Sequence, residues 1–151
     1  MESIKGKVVI ITGGGRGIGL GIATALAKEG ANLVLTGRNE ATILKSKEVL
    51  EKEYGIDVLT VSCDGAKEEQ VKNVVDKTIE KFGRLDAVIN NAQNSASGVM
   101  LADHTTADFD KAIFSGLYAT FFYMREAFPY LKESKGSVVN FASGAGLSGL
   151  V

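Results

Sequence analysis

The residues with the most chemical promise are Thr12-Gly13-Gly14-Gly15-Arg16-Gly17-Ile18-Gly19. They follow the apolar run Val8-Val9-Ile10-Ile11 and lead into Ile22, Ala23, Leu26 and Ala27 at helical spacing. Glycines placed between a strand and a helix let the backbone close on a diphosphate, and the unpaired amides at the helix start meet its negative charge. In this context Thr12, Gly13, Gly15, Arg16, Gly17, Ile18 and Gly19 predict a dinucleotide-binding turn. The competing reading is a glycine-rich connection with no ligand.

Further along, Thr36-Gly37-Arg38-Asn39 ends a second apolar run. Sites that hold a free ribose diol commonly put an acidic residue at that point, and here Gly37 stands there with Arg38 beside it. A guanidinium clamps a ribose phosphate through paired, charge-assisted bonds, and Arg16 lies in the adjoining loop, so the expected cofactor is NADP(H). The alternative for Arg38 is a solvated charge pairing with Glu40. Asp64, followed by Gly65, reads either as an adenine contact at a strand end or as an acidic cap on the next helix. Asn91 carries an amide able to tie two strand ends together through their backbone groups. Ser143 is the candidate for substrate chemistry: its hydroxyl can donate to a developing oxyanion, although it cannot be the proton donor at neutral pH. The plain alternative for Ser143-Gly144 is a loop. His104 is the single histidine and Cys63 the single cysteine, so no metal site is expected.

The elements that must position these groups alternate. Strands are expected at Val8 to Thr12, Asn32 to Thr36, Asp57 to Ser62, Leu85 to Asn90 and 136–142, each nearly continuously apolar. Helices are expected through Lys28, over Glu40 to Tyr54 and Lys67 to Phe82, and near Thr106 to Leu131, with Pro129 kinking or shortening the last of them. A polar loop from Asn91 to about Thr105 separates the fourth strand from the long helix, and Ser95, Ser97 and Met100 on it are candidates for the substrate side. This order predicts an α/β fold: a Rossmann-like, doubly wound parallel sheet in a three-layer sandwich, with strand order 3-2-1-4-5. The aromatic set Phe109, Phe114, Phe121, Phe122, Tyr123 and Phe128 reads mainly as packing. Consecutive Phe121-Phe122-Tyr123 cannot all point inward, which predicts a homo-oligomer formed through helix 106–131.

The chain has 151 residues, 45% of them hydrophobic, with 17 basic and 18 acidic side chains and a net charge of -1. That is one domain's worth with a real core, and it gives no electrostatic case for nucleic acid or an anionic membrane. The polar start Met1-Glu2-Ser3-Ile4-Lys5-Gly6, the absence of a membrane-length apolar run and the lone cysteine lead us to expect a cytoplasmic protein.

Together these segments resemble the amino-terminal portion of the short-chain dehydrogenase/reductase family. Residues 12–19 match its TGxxxGxG motif, Asp64 falls at its adenine position, Asn90-Asn91-Ala92-Gln93 is similar to its NNAG motif, and Ser143 stands at its catalytic serine. The resemblance implies cofactor contacts from Asn91 and Ala92, and a small-molecule substrate: a carbonyl, alcohol or enoyl compound. Two departures stand out. Gln93 replaces the last motif glycine, and Gly116 replaces a helix asparagine that supports a proton-relay water in the family. The family's tyrosine and lysine, spaced YxxxK, would follow Ser143 by about a dozen residues. We therefore expect residues 1–151 to be a truncated NADP(H)-binding domain, incomplete after the fifth strand and without turnover on its own. A nucleotide-binding or interaction module without turnover is the alternative.

Overall fold

The computed structural model describes residues 3–146. Five parallel strands form one sheet in the order β3-β2-β1-β4-β5, with β1 Val8–Thr12, β2 Asn32–Gly37, β3 Val58–Ser62, β4 Ala87–Asn90 and β5 Ser137–Asn140. Helices α1 Gly17–Lys28, α2 Glu40–Tyr54, α3 Glu68–Phe82, α4 Thr106–Ala112 and α5 Ala119–Ser134 connect them. The predicted topology is the observed one.

Two apolar layers enclose the sheet, as the continuous hydrophobicity of its strands requires. Val9, Ile11, Leu33 and Leu35 pack with Ala23, Ala27, Ile43 and Leu50 of α1 and α2. On the opposite face Val8, Ile10, Val34 and Val88 pack with Val71, Val74 and Val75 of α3 and with Phe122, Tyr123 and Ala127 of α5. In-register pairing sets Thr12 beside Thr36 and Asn90 beside Asn140, so polar strand ends gather on one rim.

Beyond end shifts of one or two residues, as in β5, which spans Ser137–Asn140 and not 136–142, three details differ from the sequence expectations. The long helix is not uniform: Ile113–Tyr118 form a π-helical segment between α4 and α5. Pro129 does not shorten it, because α5 runs five residues further, to Ser134. Leu85 and Asp86 precede β4 instead of belonging to it. Asp86 is buried and is used as an acceptor, taking the Val8 amide at 2.8 Å and both Arg84 nitrogens at 2.6 and 2.8 Å.

The turn from α5 into β5 shows close packing overriding local preference. Lys135 takes the left-handed conformation (φ 55°) that a glycine would occupy at less cost. Gly136 is needed elsewhere: a Cβ there would overlap the Asp86 carbonyl and sit 2.8 Å from Leu131.

Candidate functional site

The carboxyl ends of the strands border a cleft of about 520 Å³. The glycine turn forms its centre, and the local packing explains why these residues are glycine. A Cβ at Gly14 would lie 2.8 Å from Leu35, one at Gly15 would lie 2.9 Å from Ile43, and one at Gly19 would overlap the Gly13 carbonyl. Gly17 differs: its φ is 53° and a Cβ would meet nothing within 4 Å, so its bare backbone faces open space. Helix α1 starts there with no side-chain cap and no acidic residue in its first turn. Its first amides thus lack a side-chain acceptor, an arrangement that suits an anion. The Ser46 hydroxyl of α2 donates to the Gly15 carbonyl at 3.0 Å and secures the loop from behind.

On the β2–β3 side the cleft wall includes Arg38 and Asp64, with Gly65 next to it, and Arg16 of the turn lines the same cleft. Neither arginine forms an ion pair among the described residues, so the Arg38–Glu40 alternative is not the arrangement found. Asn39 caps α2 by accepting the Thr42 amide at 3.0 Å, which sets where the chain leaves β2 after Arg38. Asp64 is not the cap of α3, whose N-cap residue is Lys67. It closes a turn instead, accepting the Ala66 amide at 3.1 Å while its own amide donates to Gln70 at 2.8 Å.

On the β4 side Asn91 ties β4 to β1 as its amide chemistry suggested. Its Nδ2 donates to the Thr12 carbonyl at 3.0 Å, and the Asn91 and Ala92 amides both donate to the Thr12 hydroxyl at 2.9 Å. Gln93, Asn94, Ser115 and Thr120 continue this wall. Thus the twelve residues of the glycine turn, Arg38, Asp64-Gly65 and Asn91-Ala92 singled out in the sequence border one space. Ser143 does not line it: it is exposed beyond β5, before the short helical turn Gly144–Gly146. Ser95, Ser97 and Met100 also lie outside the cleft wall.

A polar floor escaped the sequence reading. Tyr123 reaches from α5 under the cleft and donates toward the Thr36 hydroxyl at 3.3 Å and the Cys63 sulfur at 3.4 Å. Burial pushes the Tyr123 hydroxyl well above the usual tyrosine range, and the adjacent Cys63 adds to that. Burial also raises Cys63, against the opposing hydrogen bond from Tyr123. Both groups therefore stay protonated at neutral pH and are weaker acids than an ordinary tyrosine or cysteine. Tyr118 is exposed and stacks on Phe114 with ring centres 4.9 Å apart. A sequence signal for the floor did exist: Thr12, Thr36, Ser62, Asn90 and Asn140 are polar residues near the carboxyl ends of otherwise apolar strands. The Asn90 Oδ1 is buried there with no hydrogen-bond partner among the described residues, while its Nδ2 donates to Asn140 at 2.8 Å.

The family model described as short chain dehydrogenase matches residues 7–151, and the chain belongs to that family of oxidoreductases. It is 61% identical over 157 aligned positions to a 12alpha-hydroxysteroid dehydrogenase from a Clostridium species, covering 100% of this chain and 61% of that one. Among solved structures it resembles the L-sorbose reductase of Gluconobacter frateurii complexed with NADPH and L-sorbose (TM-score 0.93, 31% identity, 99% of this chain and 57% of that one). It is similar as well to an NAD+-bound xylitol dehydrogenase (TM-score 0.92, 28% identity, the same coverages). The chain therefore spans about three-fifths of the length of these proteins.

Proposed function

We propose that residues 1–151 form an NADP(H)-binding domain, and that the protein transfers a hydride between NADP(H) and a secondary alcohol or its ketone. The observation that carries this reading is the glycine cradle: Gly14, Gly15 and Gly19 are demanded by packing, whereas Gly17 leaves its backbone open to the cleft beside the uncapped start of α1. A pyrophosphate fits that donor set. Arg38, with Gly37 in place of an acidic residue and Arg16 lining the same cleft, supports the phosphorylated ribose over the free diol. Asp64, Gly65, Asn91 and Ala92 border the two ends of the same space and take the flanking nucleoside contacts.

When bound, the nicotinamide supplies the hydride acceptor or donor. The protein's part is to hold the reacting carbon beside it and to exclude water. Ser143 stands beyond the end of β5 and takes the role of donor to the substrate oxygen. With Tyr123 buried and Tyr118 outside the cleft wall, residues 3–146 place no suitable acid in the cleft, so residues 1–151 alone bind nucleotide without turnover. The 61% likeness to a 12alpha-hydroxysteroid dehydrogenase supports a hydroxysteroid substrate. The exposed Leu117, Phe121 and Phe128 along the long helix support self-association through that face. A buried lone thiol supports residence in the cytoplasm.

The test is an assay of the full-length protein with NADP+ and NAD+ against hydroxysteroids, sugar alcohols and simple secondary alcohols, together with NADPH and enoyl thioesters. Steroid oxidation that prefers NADP+ and falls at least about 100-fold with Ser143→Ala is expected, the scale seen when one oxyanion donor is removed. Equal use of both cofactors would reject the NADP(H) assignment, and an unchanged Ser143→Ala rate would reject the serine.

A further inference from the structure

The two positions that depart from the family pattern, Gln93 and Gly116, meet in space. A Cβ built on Gly116 would lie 3.7 Å from the Gln93 Cγ, and among the described residues nothing else outside its own helix backbone and chain neighbours comes within 4 Å. Gly116 therefore faces neither a crowded backbone nor a left-handed φ, and the side chain standing over it is Gln93. It belongs to the π segment, whose wider turn brings an extra residue into the helix at a place that borders the cleft. The adjoining Ser115 fixes the loop: its hydroxyl accepts the Asn94 amide at 2.9 Å and donates to the Asn94 carbonyl at 3.0 Å. On the other side of Gln93, the Ala92 amide is held by Thr12 at 2.9 Å. The backbone of Gln93 is thus gripped on both flanks, while its carboxamide makes no hydrogen bond among the described residues. It lines the cleft on the β4 side, away from Arg38 and Asp64.

We infer that Gln93 is a cofactor-positioning residue whose carboxamide binds the ribose diol of the nucleoside that lies away from Arg38. This rests on the NADP(H) reading given above. If the phosphorylated adenosine occupies the β2–β3 side, the second nucleoside lies along Ala92 and Gln93. The sugar of that nucleoside is joined directly to the phosphate, so it is the part nearest the glycine turn. A carboxamide offers one acceptor and two donors, which match two neighbouring hydroxyls. Gly116 keeps the space under Gln93 clear, and Ser115 holds the loop at the right height. The reacting end of the cofactor is thereby set from the loop.

Two ligands that share one half separate the two nucleoside contacts. Binding of NADPH and of 2′,5′-ADP, which lacks the second nucleoside, is measured by calorimetry on the full-length protein and its variants. Gln93→Ala is expected to weaken NADPH by about five- to tenfold, the scale of one or two neutral hydrogen bonds, and to leave 2′,5′-ADP unchanged. Gly116→Leu, which displaces Gln93 without touching the loop sequence, should show the same selective loss. The double variant should lose no more than either single one. Ser115→Ala should give a smaller loss with the same selectivity. Unchanged 2′,5′-ADP affinity also reports that each variant is folded. Equal NADPH affinity in Gln93→Ala and the parent overturns the inference and leaves the NADP(H) reading standing. Failure of the parent protein to bind either ligand overturns both. The 3-acetylpyridine analogue of NADP+ lacks the nicotinamide carboxamide but keeps both riboses. A Gln93→Ala loss that disappears with that analogue would assign the contact to the nicotinamide and overturn the ribose assignment.

Discussion

The two sides of the glycine turn are built differently. On one side β1 is buried along its whole length, β2 is buried at every position from Leu33 to Thr36, and the loop glycines are pressed against Leu35 and Ile43. On the other side β5 is mostly open, with Val139 and the following Phe141 each about half exposed, while Leu117 of the π segment is 66% and Phe128 of α5 61% exposed. Both sides are strongly apolar in sequence. The difference teaches that the nucleotide-holding side is held by buried strands and by ties such as those from Asn91 and Ala92 to Thr12, so its geometry is set by contacts among the described residues. The side toward Ser143 has apolar surface that these residues do not cover, and its final geometry depends on what packs there.

The largest effect expected is at the tight side. Gly19→Ala must push against the Gly13 carbonyl, which is backbone and cannot yield cheaply. We expect NADPH affinity to fall at least about 100-fold and stability to drop by about 1–3 kcal/mol, read by calorimetry and by urea unfolding. Full binding by Gly19→Ala would show that the cradle is not set by this packing. Next, Arg38→Ala should cost NADPH about 10- to 100-fold and NADH almost nothing, since charge-assisted bonds to a ribose phosphate are worth about 1.5–3 kcal/mol. A parallel loss for both cofactors would move Arg38 from phosphate recognition to loop support.

Asp86 underlies both sides, because it joins the start of β1 to the entry of β4. Burial raises its carboxyl, but the Arg84 pair, the Val8 amide and Lys7 outweigh that and hold it below the usual carboxylate range. A folded-state pKa below the unfolded one means the stabilisation is complete above about pH 4 and is lost as pH falls through the folded value. Asp86→Asn should therefore lower stability at pH 7 by about 1–3 kcal/mol and flatten its acid dependence, checked by urea titrations between pH 3 and 7. An unflattened profile would mean other carboxylates carry the acid sensitivity. The smallest effect on folding is expected at the open side. Leu117→Glu should change stability by no more than about 0.5 kcal/mol, as for an exposed position, yet shift the protein toward monomer in sedimentation. An unchanged sedimentation profile would remove the helix face from the assembly.

Much of this is legible in the sequence. Strand runs such as Val8-Val9-Ile10-Ile11, broken by helical spacings, left few topologies open, and the glycine turn could be placed because its strand and helix flanks were clear. The π segment was not legible. Ile113 to Tyr118 carries no proline, its one glycine, Gly116, does not by itself specify a π turn, and the segment lies where the helix meets the loop that Ser115 clasps. Asp64 was ambiguous for a similar reason, since an aspartate before a helix fits a cap or a turn equally well until the chain path is known.

What the sequence determined by itself was local and periodic: the alternation of apolar strands and helices, the glycine turn, and the arginine where an acid is usual. These depend on neighbours within a few residues, so they are written in order along the chain. Tertiary structure alone decided which distant groups meet. It set Tyr123 under Thr36 and Cys63, spent Gly136 on the Asp86 carbonyl so that Lys135 took the left-handed turn, and brought Gln93 over Gly116. Such encounters come from close packing between elements far apart in sequence, where a single missing side chain becomes meaningful only once its neighbour across the gap is known.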